Sequence, residues 1–181
     1  MLTLSSGPPG VGQIVDCDYR SLIDEVLLSR KLSSGESGLE TRIEIGRKFP
    51  PTVAIPISRV RQILTNLVEN AFRYTTDGRV TVRAKLEFLG SRGRVARLIT
   101  EIEDTGPGIS EEDQTKIFEP FVQLSASDDE QTEGMGLGLA LVDSLCKSLG
   151  GSVSVQSNVG EGATFRFTLP VSMEQDWSKA S

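Results

Sequence analysis

The sequence predicts an α+β fold, a two-layer sandwich in which a mostly antiparallel, mixed sheet carries helices on one face. Apolar residues recur at helical spacing in three long segments and alternate with polar residues in several shorter ones. Glycine-rich turns join two pairs of the shorter segments as hairpins. The chain has 181 residues, of which 38% are hydrophobic, so one domain with a buried core accounts for most of its length.

The first third of the chain is predicted to contain a lead-in, two strands and a helix. Residues 1–13 are rich in Ser, Gly and Pro and are expected to be flexible. Residues 14–18 alternate as a short strand, Tyr19 to Lys31 carries a helical apolar stripe, and Leu39 to Ile45 alternates as a strand. The three prolines of residues 49–56 exclude a helix there.

A glycine-rich stretch at residues 7–14, GPPGVGQI, has the glycine spacing of a phosphate-binding loop. Gln13 stands where that loop requires lysine, Ile14 stands where it requires Ser or Thr, and no strand precedes it. We therefore interpret this stretch as part of the flexible lead-in.

The central segment predicts a helix followed by a hairpin. Ser58 is the expected N-cap, apolar residues at helical spacing continue to Tyr74, and turn chemistry at residues 76–78 ends the helix. Alternating segments at residues 80–89 and 95–102 then predict two strands joined by a Gly-Ser-Arg-Gly turn.

The last third predicts two helices and a second hairpin. Ser110 opens a short helix that ends near Phe118, and residues 122–134 form a polar, acidic loop without periodicity, expected to be mobile. An apolar helix follows from Leu137 to Leu149. Beyond it, two alternating segments joined by SNVGEG predict the second pair of strands.

Composition excludes several classes of function. The sequence contains no histidine, which excludes Ser-His-Asp and Cys-His catalysis and histidine-ligated zinc within this chain. The net charge of −6 argues against a nucleic-acid partner, because a polyanion requires a basic surface. Apolar runs are too short to cross a membrane, and we expect no direct membrane contact. Cys17 and Cys146 are far apart and have no metal-binding or CxxC spacing, so we expect reduced thiols in a cytoplasmic protein.

Three segments carry side chains suited to nucleotide chemistry. Asn66 and Asn70 lie four residues apart on one helix face, where carboxamide oxygens can bind a hard cation, and Arg73 follows one turn later. Asp104 ends a strand, where its carboxylate can accept a hydrogen bond from an exocyclic amine, and glycines follow it closely. The GMGLG segment that begins at Gly134 opens a helix whose N-terminal amides can bind phosphate.

The chain contains four segments, in order, that resemble the conserved boxes of a known family. They are NLVENAFRYT for the N box, EDTGPGI for the first glycine box, IFEPF for the F box and GMGLGLA for the second glycine box. That family is the ATP-binding catalytic domain of sensor histidine kinases, which has the Bergerat fold. Its wider group includes the gyrase, Hsp90 and MutL ATPases. The resemblance covers residues 14–170 and divides the chain into a lead-in at 1–13, a catalytic domain at 14–170 and a tail at 171–181.

The resemblance implies a role for each matching residue. Asn70 would coordinate Mg²⁺ on the phosphates of ATP with help from Asn66, Arg73 would contact phosphate, Tyr74 would pack beside the nucleotide, and Asp104 would accept the adenine amine. The F box would anchor the hinge of an ATP lid formed by residues 122–134. The other positions implied to contact nucleotide are Gly106, Gly108, Ile109, Phe118, Phe121, Gly134, Gly136, Leu137, Gly138 and Leu139.

The resemblance further implies phosphoryl transfer rather than hydrolysis. Hydrolases of the group carry a glutamate base four residues before the metal-binding asparagine, where this chain has Asn66. The phosphoacceptor histidine of the family lies on a separate dimerisation domain, so no catalytic residue is identified in this chain. The implied partners are that domain and, indirectly, a response regulator. The isolated domain is expected to be a monomer, and anchoring of the parent kinase in the inner membrane is left open.

Two departures from the family pattern support an alternative function. Carboxylates at Asp128, Asp129, Glu130 and Glu133 make the predicted lid acidic, which opposes the binding of a triphosphate. Ala163 stands where many relatives carry threonine. The alternative is a catalytically degenerate regulatory domain of the same fold that acts through interaction with another kinase.

Overall fold

The computed structural model describes residues 12–34, 39–89, 95–122 and 136–172. The strands are β1 (Ile14–Cys17), β2 (Glu40–Ile45), β3 (Val53–Pro56), β4 (Arg79–Leu89), β5 (Val95–Asp104), β6 (Ser152–Ser157) and β7 (Ala163–Ser172). The helices are α1 (Tyr19–Ser34), α2 (Ile57–Tyr74), α3 (Glu111–Gln114) and α4 (Gly138–Ser148).

Five strands form the main sheet in the order β2-β4-β5-β7-β6. Strands β4, β5, β7 and β6 pair antiparallel, whereas β2 pairs parallel to β4. The register places Asp104 opposite both Val80 and Ala163, so the end of β5 lies between the first residues of β4 and β7. The predicted α+β fold with a mostly antiparallel, mixed sheet is confirmed.

The hydrophobic core lies between one face of this sheet and the helices. Alternate residues of β5, such as Leu98 and Ile102, are fully buried on that face. Helix α2 buries an apolar stripe against the core, made of Val60, Ile63, Leu64, Leu67, Val68, Ala71 and Phe72. The opposite face of the sheet carries charged residues, among which Arg83 pairs with both Glu44 and Glu103. This division into an apolar and a charged face sets the two-layer arrangement.

Strand β3 pairs antiparallel with β1 in a small second sheet that the sequence did not predict. The proline-rich segment forms this strand because its pairing involves only residues 53–56, with Pro56 at the strand end opposite Ile14. Beside it, the buried ring of Tyr19 stacks on Phe49.

Helix boundaries differ from the sequence prediction in several places, and α1 continues past the predicted Lys31 to Ser34. Ser58 as the N-cap of α2 is wrong: the helix begins at Ile57 after Pro56, without a side-chain cap, because β3 runs directly into it. Ser110 as the N-cap of α3 is confirmed, since its Oγ accepts a hydrogen bond from the Asp113 amide at 3.2 Å. That helix ends at Gln114, earlier than predicted, and continues as turns to Phe118. None of the described helices is long and apolar enough to cross a membrane.

Candidate functional site

The exposed side of helix α2 displays the polar residues singled out from the sequence. Asn66 and Asn70 are half-buried, and Arg73 is exposed. The apolar stripe on the other side of the helix is locked in the core, so the orientation of these three side chains follows from core packing. The structure therefore brings Asn66, Asn70 and Arg73 to one surface, as their spacing predicts.

Asn66 lies against the beginning of helix α4. Its Nδ2 donates to the carbonyl oxygen of Gln62 at 2.8 Å. A Cβ at residue 138 would lie only 3.0 Å from Asn66 Oδ1, so Gly138 permits this close approach. The carboxamide oxygen thus lies beside a helix N-terminus, the end of a helix that attracts anions.

Asp104 is a buried hydrogen-bond acceptor at the end of β5, with 5% of its surface exposed. Its Oδ1 accepts from the amides of Gly106 at 2.9 Å and Ala163 at 3.3 Å. Burial raises the pKa of the Asp104 carboxyl above its ordinary value, and the two amide hydrogen bonds oppose that rise. These bonds orient the carboxylate and leave Oδ2 as an acceptor for a ligand.

The glycines around Asp104 are required by close packing. A Cβ at residue 106 would lie 2.7 Å from the carbonyl oxygen of Tyr74, and a Cβ at Gly108 would overlap the carbonyl of Asn158. Gly162, which the sequence analysis did not single out, has a positive φ of 84°, and a Cβ there would overlap the Asp104 carbonyl oxygen. These positions need glycine in order to form the loop at all.

A hydrogen-bond network behind this loop was missed by sequence reasoning. The amide of Ile109 donates to Ser157 Oγ at 2.8 Å, and Ser157 Oγ donates to the carbonyl of Gly162 at 2.6 Å. Gln114 Nε2 bridges the carbonyl oxygens of Ile109 and Ser157, both at 2.9 Å. The partners are distant in sequence, and the only available signal was a serine at the start of the SNVGEG turn.

The two phenylalanines of the F box differ in environment. The Phe118 ring packs edge-on against Phe165 with centroids 6.4 Å apart. Phe121 is 76% exposed and has a positive φ of 67°, and its amide donates to the Gly136 carbonyl at 3.0 Å. That bond holds residues 121 and 136 together at the base of the predicted lid. Apart from Val122, the predicted lid at 122–134 lies outside the described residues, as does Gly134.

The remaining predicted contacts lie around these groups. Tyr74 is half-buried at the end of α2, where its carbonyl faces Gly106. Leu137 precedes α4 and is 36% exposed, whereas Leu139 packs against the core.

A cavity of about 680 Å³ borders Asp104, and neither Asn66 nor Asn70 lines it. Its lining includes Glu103, Gln156 and Thr164, which project from the charged face of the sheet. The cavity therefore lies at the end of β5, next to Asp104 and Ala163, and does not extend to Asn66 or Asn70 on α2.

The donor set at α2 suits a hard cation that arrives with its own anionic ligand. Among the described residues, no group of three His, Cys, Asp or Glu could hold a metal ion. The Asn66 and Asn70 carboxamides supply neutral oxygens, which fit Mg²⁺ when phosphate oxygens provide the negative charge. These groups together suit a nucleoside polyphosphate. The buried carboxylate can accept from a base amine, the neutral oxygens can bind a cation, and the helix N-terminus can bind phosphate.

Comparison with known proteins agrees with this chemistry. The family model of histidine kinase-, DNA gyrase B- and HSP90-like ATPases (HATPase_c) matches residues 56–173. The chain is 34% identical over 172 residues to hybrid signal transduction histidine kinase B of Dictyostelium discoideum, covering 94% of this chain and 9% of that protein. It is 35% identical over 150 residues to signal transduction histidine-protein kinase BarA of Escherichia coli (strain K12), covering 83% of this chain and 16% of that protein.

A solved structure shares the fold over most of the chain. Full-length ShkA, crystallised in complex with AMPPNP, superposes with a TM-score of 0.72 at 31% identity, covering 91% of this chain and 32% of that one. The chain spans less than a fifth of the length of the two curated relatives. The resemblance drawn from the four boxes is confirmed: this chain belongs to the HATPase_c family of histidine kinase-, DNA gyrase B- and HSP90-like ATPases.

Proposed function

We propose that this chain is the ATP-binding catalytic domain of a two-component sensor histidine kinase. It binds Mg-ATP and donates the γ-phosphate to a histidine on a separate dimerisation domain. The observation that carries the proposal is the Asp104 carboxylate, which is buried and held by two backbone amides at the end of β5. A buried acceptor held in a fixed orientation recognises an exocyclic amine, the group that distinguishes adenine from guanine at this position.

Asn66 favours transfer over hydrolysis. A carboxamide cannot take a proton from water, and the Asn66 amide is already engaged with the Gln62 carbonyl. Because the sequence contains no histidine, the phosphoacceptor must come from another domain or chain. The role of this chain is then to bind ATP, to orient its phosphates at the start of α4 and to hold them for the acceptor.

Mg²⁺ would be held by Asn70 and Asn66 together with the phosphates. When bound, the ion neutralises part of the phosphate charge and so favours phosphoryl transfer. The Asn70 side chain forms no hydrogen bond within the part of the chain that the structure describes, so its carboxamide is available to a cation. Arg73, one turn away, adds a positive charge on the same side of α2.

An apolar patch beside the site suits the acceptor domain. Phe121, Leu137 and Leu141 are exposed by 76%, 36% and 38%, at the base of the predicted lid and on the first turn of α4. Exposed apolar side chains that cluster beside an active site mark an interaction surface. Docking of the dimerisation domain here would bring its histidine to the phosphate end of the nucleotide. A response regulator would then receive the phosphoryl group from that histidine, and all of these steps are expected in the cytoplasm.

The regulatory alternative is opposed by one contact. Ala163 lacks the threonine hydroxyl that the family resemblance implies at this position, yet its backbone amide donates to Asp104. This part of the adenine site therefore does not depend on the side chain at residue 163. The acidic residues of the predicted lid lie outside the described residues. Their effect on nucleotide binding and phosphoryl transfer is tested by the following experiment.

The test has two stages. Calorimetry with ADP and Mg²⁺ should show binding by the wild-type chain, and Asn70→Ala should lose it, whereas the control Gln156→Ala on the charged face of β6 should not. Labelled ATP is then supplied with a dimerisation-domain fragment in trans, and label on the histidine of that fragment supports the kinase. ADP binding without label transfer would favour the regulatory alternative, and no ADP binding would overturn the proposed kinase.

A further inference from the structure

Thr75 carries a buried hydroxyl without a hydrogen-bond partner in the described structure. The residue follows α2 directly and is 1% exposed, and its Oγ1 is fully buried and unpaired. A buried hydroxyl in this state costs free energy, which a valine of the same shape would avoid. Folding alone therefore does not explain why a hydroxyl stands here.

The unpaired hydroxyl lies beside the acceptor that recognises the base. Thr75 Oγ1 is 3.3 Å from the point where a Cβ of residue 106 would lie, and Asp104 Oδ1 is 2.9 Å from the same point. The Tyr74 carbonyl oxygen is 2.7 Å from it. Thr75 and Asp104 thus face one small space beside Gly106, although no hydrogen bond joins them in the described structure.

We propose that Thr75 is a positioning residue for adenine recognition: its hydroxyl donates to the Asp104 carboxylate, directly or through one water, when nucleotide is bound. The inference rests on the proposed nucleotide site. A carboxylate offers about four lone-pair positions, and the Gly106 and Ala163 amides use only part of this capacity. Both amides bond Oδ1, so a donor from Thr75 to Oδ2 orients the carboxylate further and leaves the second acceptor position of Oδ2 for the adenine amine.

The test compares Thr75→Val, which removes the hydroxyl but keeps the shape, with Thr75→Ser, which keeps the hydroxyl. Each chain is titrated with ADP and with IDP, whose base has a carbonyl in place of the amine. We expect Thr75→Val to lose about tenfold in ADP affinity, the effect of one hydrogen bond to a charged group. Its IDP affinity should be unchanged, and Thr75→Ser should bind ADP like the wild type.

Thermal melting without nucleotide separates this role from a structural one. Because the hydroxyl is unpaired, Thr75→Val should melt at the same temperature as the wild type or higher. A lower melting temperature would show that the hydroxyl serves the fold, for example by capping α2 at the Tyr74 carbonyl, and would overturn the inference. Equal losses for ADP and IDP, or wild-type ADP affinity in Thr75→Val, would overturn it as well. If the wild-type chain itself fails to bind ADP, the proposed function falls first and the inference falls with it.

Discussion

Replacing Asp104 by asparagine tests the central feature of the site with little change in shape. The carboxamide oxygen of the Asp104→Asn variant can still accept from the Gly106 and Ala163 amides, so the loop around Gly106 should be retained. The other carboxylate oxygen becomes an NH₂ group, which donates and cannot accept. The adenine amine then meets a second donor in place of an acceptor.

The expected loss can be estimated from this geometry. A hydrogen bond to a charged group contributes about 1.5–3 kcal/mol. Because the variant also places two donors against each other, we expect a loss at the upper end of this range, so ADP affinity should fall about 100-fold. IDP carries an acceptor at the same position, so its affinity should be unchanged or higher. The preference for ADP over IDP should therefore shrink or reverse.

The assay is calorimetry of ADP and IDP with wild type, Asp104→Asn and a control, Asp24→Asn, on the exposed side of α1. Melting should show that the Asp104→Asn protein is folded, and at neutral pH it should be as stable as the wild type or more so. The reason is that burial raises the Asp104 pKa, so the ionised form opposes folding above that pKa. ADP affinity within twofold of wild type in a folded variant would refute the assignment of Asp104 to the adenine amine.

Four more predictions follow from the described residues. ADP affinity of the wild type should fall as the pH drops through the raised pKa of Asp104, because the protonated carboxyl accepts poorly, and Asp104→Asn should lack this component. Gly162→Ala should cost about 2–3 kcal/mol in denaturant unfolding, because its φ is positive and a Cβ would overlap the Asp104 carbonyl; wild-type stability would contradict this. Mg²⁺ alone should give no heat in calorimetry, since Asn66 and Asn70 are neutral, but should bind with ADP. Burial raises the pKa of Cys146 to about 12, so its thiol should resist alkylation in the native state and react after unfolding.

Local patterns predicted most elements and most candidate residues. The helical stripe of α2 and the alternation of β4 and β5 are short-range signals, because each element buries one face. Strand β3 was missed because it is short and proline-rich, and its partner, β1, lies far away in sequence. Ser157 and Gly162 were missed for a related reason: each matters through contacts with the loop after β5, which no local pattern reveals.

The sequence by itself indicated nucleotide binding as the chemistry of this chain, and it indicated that the chain does not supply a phosphoacceptor histidine. It contains a carboxylate, asparagines and glycine clusters in a characteristic order, and it contains no histidine to accept a phosphoryl group. Only the tertiary structure decided how these groups meet. The Ala163 amide reaches Asp104 across 59 residues, and Gly138 brings α4 against Asn66. Such contacts depend on strand register and helix packing, which are set by burial summed over the whole chain and not by neighbouring residues.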